Sequence, residues 1–286
     1  MEKTFSLMVP MRDGVRLSTD VYLPDNIRGR IPAVLIRLPY RKDLFLQGYN
    51  GATARAVFEA GYALVIQDCR GTGDSEGSYR PWTHDAEDGY DTIEWIASQY
   101  WCSGKVGMYG ASNLGSVQLL AAAERPPHLA AIAPMGTSDA MPFFENGIFN
   151  QAAVTIWYIQ QAINFSTREG VDEEKKKRLV GEFEKMLANL EEQYLFTPMK
   201  DAPFCNVEGV EMERFYQEYL EYLDTPSHWT DLKSPCSIVN IDVPILFITN
   251  WYDHLAHNVF RMYKTIKDHG TPRAQKEVRL DRKSVV

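Results

Sequence analysis

Three residues in this sequence sit where a hydroxyl, a carboxylate and a phenol could share one reaction. Ser112 lies in Gly110-Ala111-Ser112-Asn113-Leu114-Gly115, between an apolar run at residues 106–109 and a helix-forming stretch at 115–123. A serine on a sharp strand-to-helix turn is lifted above the sheet edge, and its neighbours must be small because the backbone there is strained and closely packed. The helix N-terminus behind it offers backbone N–H groups and a positive dipole end to a developing oxyanion. The spacing is G-x-S-x-x-G, one residue longer than the usual G-x-S-x-G. Asp253 follows the apolar run 244–249, in Asn250-Trp251-Tyr252-Asp253. A carboxylate at the end of a later strand can orient an imidazole, and Ser-then-Asp is the chain order this arrangement requires. The same aspartate would also suit the N-cap of the helix that follows. Tyr40 follows the run 33–38, and the loop in this place supplies a second oxyanion donor, as a backbone N–H or as a phenol. A packing tyrosine is the alternative.

Other candidate motifs carry less. The loop 68–77, Asp68-Cys69-Arg70-Gly71-Thr72-Gly73-Asp74-Ser75-Glu76-Gly77, is glycine-rich but lacks Lys-Ser/Thr after its last glycine, which excludes a P-loop. Neither its spacing nor its place fits a dinucleotide fingerprint, so it reads as a structural turn with Asp74 and Glu76 solvated or capping. Cys69, Cys102, Cys205 and Cys236 are scattered without a C-x-x-C pair and read as buried free thiols. No histidine or cysteine spacing suggests a metal, and no cofactor is expected.

The elements that would position these residues alternate. Residues 5–9 and 15–23 flank an Asp13-Gly14 turn and read as a hairpin. Short apolar runs at 33–38, 63–67, 106–109 and 130–133 then alternate with helical stretches at 53–60, 86–99 and 115–123, which implies a mostly parallel sheet buried on both faces. From about 141 to 235 the rhythm stops. Aromatic-rich helical stretches (156–163, 215–223) and a highly charged one (173–192) replace it, and the run Glu173-Glu174-Lys175-Lys176-Lys177-Arg178 reads as a solvated helix face. This organisation divides the chain into an α/β core, residues 1–140 and 236–286, and an inserted helical cap, residues 141–235. The alternation resumes with a strand at 244–249, a helix at 257–269 and a last short run at 277–280.

Composition bounds the rest. The 286 residues suit one large α/β domain with an insertion, and 45% hydrophobic with 24% charged residues is ordinary for a globular chain. A net charge of -8 argues against nucleic acid as a partner. No apolar run of about 18 residues suggests a membrane span, and no signal peptide is read at the N-terminus, so a cytoplasmic location is the expectation. The expected partner is a small-molecule ester or peptide substrate, and a homo-oligomer is left open.

The motifs taken together resemble the α/β-hydrolase family of cocaine esterase, X-prolyl dipeptidyl aminopeptidases and α-amino-acid ester hydrolases. The matching pieces include residues 8–17 (Met-Val-Pro-Met-Arg-Asp-Gly-Val-Arg-Leu), Pro39-Tyr40-Arg41-Lys42, residues 65–71, Glu76-Gly77, Trp95-Ile96, residues 101–110 and Trp251-Tyr252-Asp253. The resemblance implies Ser112 as nucleophile, Asp253 as the triad acid, and an oxyanion hole from the Tyr40 hydroxyl and the Asn113 backbone N–H. Family members usually carry tyrosine after the nucleophile. Asn113 departs from that, which leaves the N–H donor in place and changes the acyl pocket. The resemblance further implies a histidine in a Gly-Pro-Trp-x-His-like loop after the strand that follows the acid, and a β-sandwich domain beyond it. Residues 281–286 hold no histidine, so both are expected to be missing from this chain. His254 and His257, beside Asp253, are poorly directed substitutes, and His84, His128 and His228 read as surface or cap residues. Three function classes follow. They are a serine hydrolase acting on esters or X-Pro peptides through an acyl-enzyme, a truncated and inactive fragment of one, and a non-catalytic small-molecule-binding module. Short-chain or aromatic esters are favoured as substrates, because Phe143, Phe144, Trp157, Tyr158 and Phe165 suggest an apolar pocket.

Overall fold

The computed structural model describes residues 4–25, 27–46, 49–139, 144–145, 148–166, 171–205, 220 and 237–282. Two antiparallel strands open the chain, β1 (Phe5–Pro10) and β2 (Arg16–Tyr22), joined through Gly14 at φ +88°. There follow β3 (Ile31–Leu38), α1 (Lys42–Phe45), α2 (Tyr49–Glu59), β4 (Ala63–Asp68), α3 (Asp85–Ser98), β5 (Cys102–Ala111), α4 (Asn113–Ala123) and β6 (Leu129–Met135). A short hairpin, β7 (Phe144–Glu145) with β8 (Ile148–Phe149), leads to helices α5 (Gln151–Ser166), α6 (Glu173–Ala188) and α7 (Leu190–Leu195). The sheet resumes at β9 (Leu246–Ile248), then α8 (Ala256–His269), α9 (Pro272–Glu277) and β10 (Arg279–Asp281).

The sheet has eight strands in the order β1-β2-β4-β3-β5-β6-β9-β10. From β4 to β10 every pairing is parallel, and only β1 and β2 run against their neighbours. The reason is visible strand by strand. All six residues of β4 are buried, as they must be when helices cover both faces. Helix α4 is buried from Asn113 through Ala122 with no polar face, which is the pattern of a helix enclosed on every side. Helix α6 instead turns its charges outward and buries Leu179 and Phe183, and Asp172 caps it by accepting from the N–H groups of Glu174 and Lys175 at 3.0 Å each. Helix α9 starts with Pro272 behind Thr271, whose hydroxyl accepts from the Ala274 N–H at 3.1 Å.

The alternation expected from sequence is therefore present, with one adjustment. The run expected at 277–280 splits: Glu277 ends α9 and only Arg279–Asp281 is strand, because a proline-started, Thr-capped turn competes locally for the first residue. The helix expected at 215–223 lies outside the described residues apart from Leu220. Helices α5 to α7 join the sheet through one cluster, in which Val154, Tyr158, Ile159 and Ala162 of α5 pack with Trp82, Ala86 and Leu120. Cys69, Cys102 and Cys205 are buried free thiols, as expected. Among the described residues no helix is long and apolar enough to cross a membrane.

Candidate active site

In a parallel sheet the carboxyl ends of the strands share one edge, and loops leaving adjacent strands there form a crevice. Strands β3, β5, β6 and β9 are neighbours in that order, so Tyr40 after β3, Ser112 after β5, Gly136 after β6 and Asp253 after β9 emerge side by side. Short backbone links lock these ends together. The Ser112 N–H donates to the Met135 carbonyl at 2.9 Å, and the Gly136 N–H to the Ile248 carbonyl at 2.8 Å.

Ser112 has φ 59° and ψ −126°, a backbone conformation that costs about 1–3 kcal/mol for a residue with a side chain and persists only where the surroundings enforce it. The glycines do the enforcing, and they explain the unusual spacing. A Cβ on Gly110, at φ +151°, would lie 2.5 Å from Leu114 Cβ, so the strand meets the helix with no room for a side chain. A Cβ on Gly115 would lie 2.6 Å from Thr137 Cβ. Thr137 is needed there: its hydroxyl donates to the Ser112 carbonyl at 2.8 Å, and Ser116 Oγ sits 2.9 Å from Thr137 Oγ1 and donates to the Ser138 carbonyl at 2.9 Å. The second glycine thus makes way for a threonine on the β6 loop rather than for the strand itself.

Tyr40 is brought to the serine. Its phenol oxygen has the Ser112 hydroxyl and the Asn113 backbone N–H as hydrogen-bond partners, and it accepts from Trp157 Nε1–H at 3.2 Å. Burial raises the phenol pKa above its ordinary value, and the contacts with Trp157, Ser112 and Asn113 pull it part of the way back. The Tyr40 ring packs against the cluster that holds Ile36 and Leu38. The loop that carries Tyr40 is anchored one turn further on. The Lys42 N–H donates to Asp68 Oδ1 at 2.7 Å, and the buried Lys42 ammonium lies 3.6, 3.8 and 3.3 Å from carboxylates of Asp20, Asp68 and Asp74. Burial pushes the Asp68 carboxyl up to about 7 against these attractions. Asp74 and Glu76 remain partly solvated, as expected, and are also ion-paired with Lys42 and Arg16. That follows from Gly71 and Gly73 at positive φ folding the loop back onto β2 and β3.

Asp253 does two things at once. Its Oδ1 accepts from the Leu255 N–H at 2.9 Å, closing the turn into α8, and its Oδ2 accepts from Thr249 Oγ1 at 3.1 Å. The helix starts at Ala256 with Leu255 in the N-cap position, so Asp253 closes the turn before it rather than capping it as the sequence also allowed. Gly136 makes the approach possible, since a Cβ there would lie 2.5 Å from Asp253 Oδ2. His254 stands beside it with Nδ1 3.8 Å from Asp253 Oδ1, outside hydrogen-bond range, and its side chain is 69% exposed.

A cavity opens on the serine, lined by Trp82, Ser112, Asn113, Ser116, Ser138, Ala153, Trp157, His254 and Leu255. The Trp82 and Trp157 rings stack at 5.6 Å and 17° to form one apolar wall. Of the aromatic residues expected to line an acyl pocket, Trp157 does so, whereas Tyr158 points into the core and is 1% exposed. Phe143 and the side chains of Phe144 and Phe165 lie outside what is described. No spacing rule links Trp82, Ser138 and Thr137 to Ser112; sheet order brings Thr137 and Ser138 there after β6, and stacking with Trp157 brings Trp82. His128 pairs with Glu94 at 2.7 Å. Among the described residues no group of His, Cys, Asp and Glu is arranged to hold a metal ion.

A mostly parallel sheet, a strained serine between a central strand and a buried helix, and a carboxylate after a later strand define an α/β-hydrolase. The family model for X-Pro dipeptidyl-peptidases (S15 family) matches residues 13–281, and the chain belongs to that family. It is 31% identical over 276 residues to the cocaine esterase of Rhodococcus sp. (strain MB1 Bresler), a match covering 94% of this chain and 47% of that enzyme. The chain thus spans about half the length of this relative. Among solved structures it is similar to an aminopeptidase from a marine sediment archaeon, Thaumarchaeota archaeon, with TM-score 0.68 and 22% identity over 96% of this chain and 47% of the other. A CocE/NonD family hydrolase from Staphylococcus aureus gives TM-score 0.62 and 21% identity over 98% of this chain and 46% of the other.

Proposed function

We propose that this chain is the nucleophile-bearing part of a serine hydrolase, with Ser112 attacking an acyl carbonyl while the Tyr40 hydroxyl and the Asn113 N–H hold the oxyanion. The observation that carries the reading is the convergence of the Tyr40 phenol, the Ser112 hydroxyl and the Asn113 N–H at one point, on a turn strained to present that hydroxyl. In the reaction the Ser112 Oγ–acyl bond forms as the acyl–leaving-group bond breaks. The serine proton leaves with the leaving group through a base, and water later returns the acid. Two donors placed where charge develops are worth most in the transition state, which is why they belong beside the nucleophile rather than deeper in the pocket.

The substrate we favour is a short-chain or aromatic ester. The stacked Trp82–Trp157 wall suits an apolar acyl or alcohol group, and among the described residues no carboxylate lines the cavity to bind a peptide amino group. Helices α5 to α7 would act as the cap over this pocket, and Asp253 would orient an imidazole. The names of the relatives, an esterase and X-Pro peptidases, agree with acyl transfer and leave both substrate types within the family.

One observation favours a weaker variant of this reading. His254 borders the cavity, yet its Nδ1 lies 3.8 Å from Asp253 Oδ1 and makes no hydrogen bond to that carboxylate. We therefore propose that the chain on its own turns over slowly for want of a base, since a general base contributes about 10²–10⁴-fold. Hydrolysis of p-nitrophenyl acetate beside Ser112→Ala, with and without added imidazole, tests both parts. The expected result is a small rate above the variant that imidazole raises only when Ser112 is present. Equality with Ser112→Ala under both conditions would end the hydrolase reading. Turnover of about 1–10³ s⁻¹ without imidazole would show that a histidine of this chain already serves, and His254→Ala would identify it.

A further inference from the structure

We infer that Trp157 is a positioning residue for the oxyanion hole: its indole N–H holds the Tyr40 phenol in the orientation that points the phenol proton at the reacting oxygen. The inference rests on the acyl-transfer reading above and extends it to a residue on a different segment of the chain.

A phenol has one proton and two lone pairs on its oxygen. To act as an oxyanion donor it must keep the proton for the substrate, so its lone pairs have to be met by donors. The Tyr40 oxygen accepts from Trp157 Nε1–H at 3.2 Å. An indole N–H can only donate, so the direction of this bond is fixed by chemistry. The Asn113 backbone N–H, also a donor, meets the other lone pair, so the proton is left the side facing the Ser112 oxygen. The bond also favours electron withdrawal from the O–H, consistent with Trp157 being the leading influence that lowers the phenol pKa against the larger effect of burial.

The donor itself is held from two sides. The Trp157 ring stacks on Trp82 of the core at 5.6 Å, and its neighbours Val154 and Tyr158 are buried beside Leu120 of α4, the helix that Ser112 caps. Helix α5 thus touches the hole through Trp157 and the elbow helix through its other residues. Tyr40 sits 117 positions away in sequence, which is why no motif connects the two.

Trp157→Phe keeps an aromatic ring against Trp82 and removes the N–H. With p-nitrophenyl acetate, and imidazole present, we expect a loss of about 3- to 10-fold in kcat, the worth of one neutral hydrogen bond, with KM little changed. In a Tyr40→Phe background the same substitution should have no further effect, since there is no phenol left to orient. An equal loss in both backgrounds, or a change confined to KM, would reduce Trp157 to a pocket wall. A second measurement does not depend on turnover. The chain has six tryptophans, so ¹H–¹⁵N spectra show six indole signals, and the one lost in Trp157→Phe is that of Trp157. It should move upfield in Tyr40→Phe and stay in place in Tyr252→Phe. No movement in Tyr40→Phe would overturn the inference. If the unaltered chain hydrolyses no faster than Ser112→Ala, the hydrolase reading fails and the indole signal alone decides whether Trp157 binds the phenol.

Discussion

Two helical glycines in this chain should respond to alanine with opposite signs. Gly181 lies in the middle of α6 with nothing within 4 Å of where a Cβ would go, so Gly181→Ala gains helix propensity and should stabilise by about 0.5–1 kcal/mol. Gly115 lies in the first turn of α4, where the same methyl would stand 2.6, 2.8 and 2.9 Å from Thr137 Cβ, Cγ2 and Oγ1. Ordinary carbon contacts are about 3.5–4.0 Å, so Thr137 would have to retreat by about 1 Å. Thr137 is wholly buried, and its hydroxyl tethers the Ser112 carbonyl at 2.8 Å. Overpacking of this kind costs about 1–3 kcal/mol, and the helix-propensity gain offsets at most about 1 kcal/mol of it. Gly115→Ala should therefore lose about 1–2 kcal/mol, or several degrees in Tm at about 2–4 °C per kcal/mol for chains approaching this size. Gly181→Ala should gain about 1–4 °C on the same scale. Urea or thermal denaturation of both variants reads the difference, and ester hydrolysis should fall only in Gly115→Ala. If Gly115→Ala matches the unaltered chain in stability, the packing account of the long G-x-S-x-x-G spacing is wrong.

Two more outcomes follow from the site. Tyr40→Phe should lower kcat by about 10²–10³ while KM moves little, because the donor acts on charge present only in the transition state; an unaltered kcat would make Tyr40 a packing residue. Asp68 gives a pH dependence whose sign is set by its raised pKa. The folded state keeps this proton to about pH 7 while the unfolded chain releases it near 4, so stability is greatest below pH 4 as far as this group is concerned and is lost as pH rises from there to 7. The stability difference between pH 5 and pH 8 should shrink in Asp68→Asn, by a few kcal/mol at most given about 1.4 kcal/mol per pKa unit; an unchanged difference would show that Asp68 ionises normally.

Much of this architecture was legible in the residues because strands buried on both faces announce themselves as short apolar runs, and β3 to β6 fall where those runs stand. Ser112 was legible because a strained turn demands small neighbours, and Gly110 is one. The elements that sequence handled less well share a cause, which is that a local signal was outvoted by a neighbour distant in the chain. The loop 68–77 reads as a solvated turn, and Asp74 and Glu76 do stay partly exposed, but no local signal announces that they also pair with Lys42 and Arg16. Trp157 and Tyr158 are adjacent aromatic residues of one helix, and only the packing of α5 on Leu120 decides that the first faces the cavity and the second the core. Thr137, Gly136 and Trp82 carry no motif at all. Thr137 and Gly136 matter because β6 lies between β5 and β9, and Trp82 because Trp157 of α5 stacks on it, facts that no spacing along the chain encodes.

The central claim is that Ser112 is an acyl-accepting nucleophile backed by an oxyanion hole, and an alkyl fluorophosphonate tests it most directly. Attack by Ser112 Oγ on phosphorus expels fluoride and leaves a phosphonyl ester whose oxygen takes the oxyanion position. Peptide mass spectrometry of the labelled chain should find one adduct, on the peptide containing Ser112, absent in Ser112→Ala and formed more slowly in Tyr40→Phe. Labelling that survives in Ser112→Ala, or no adduct on Ser112 even with imidazole present, would contradict the account.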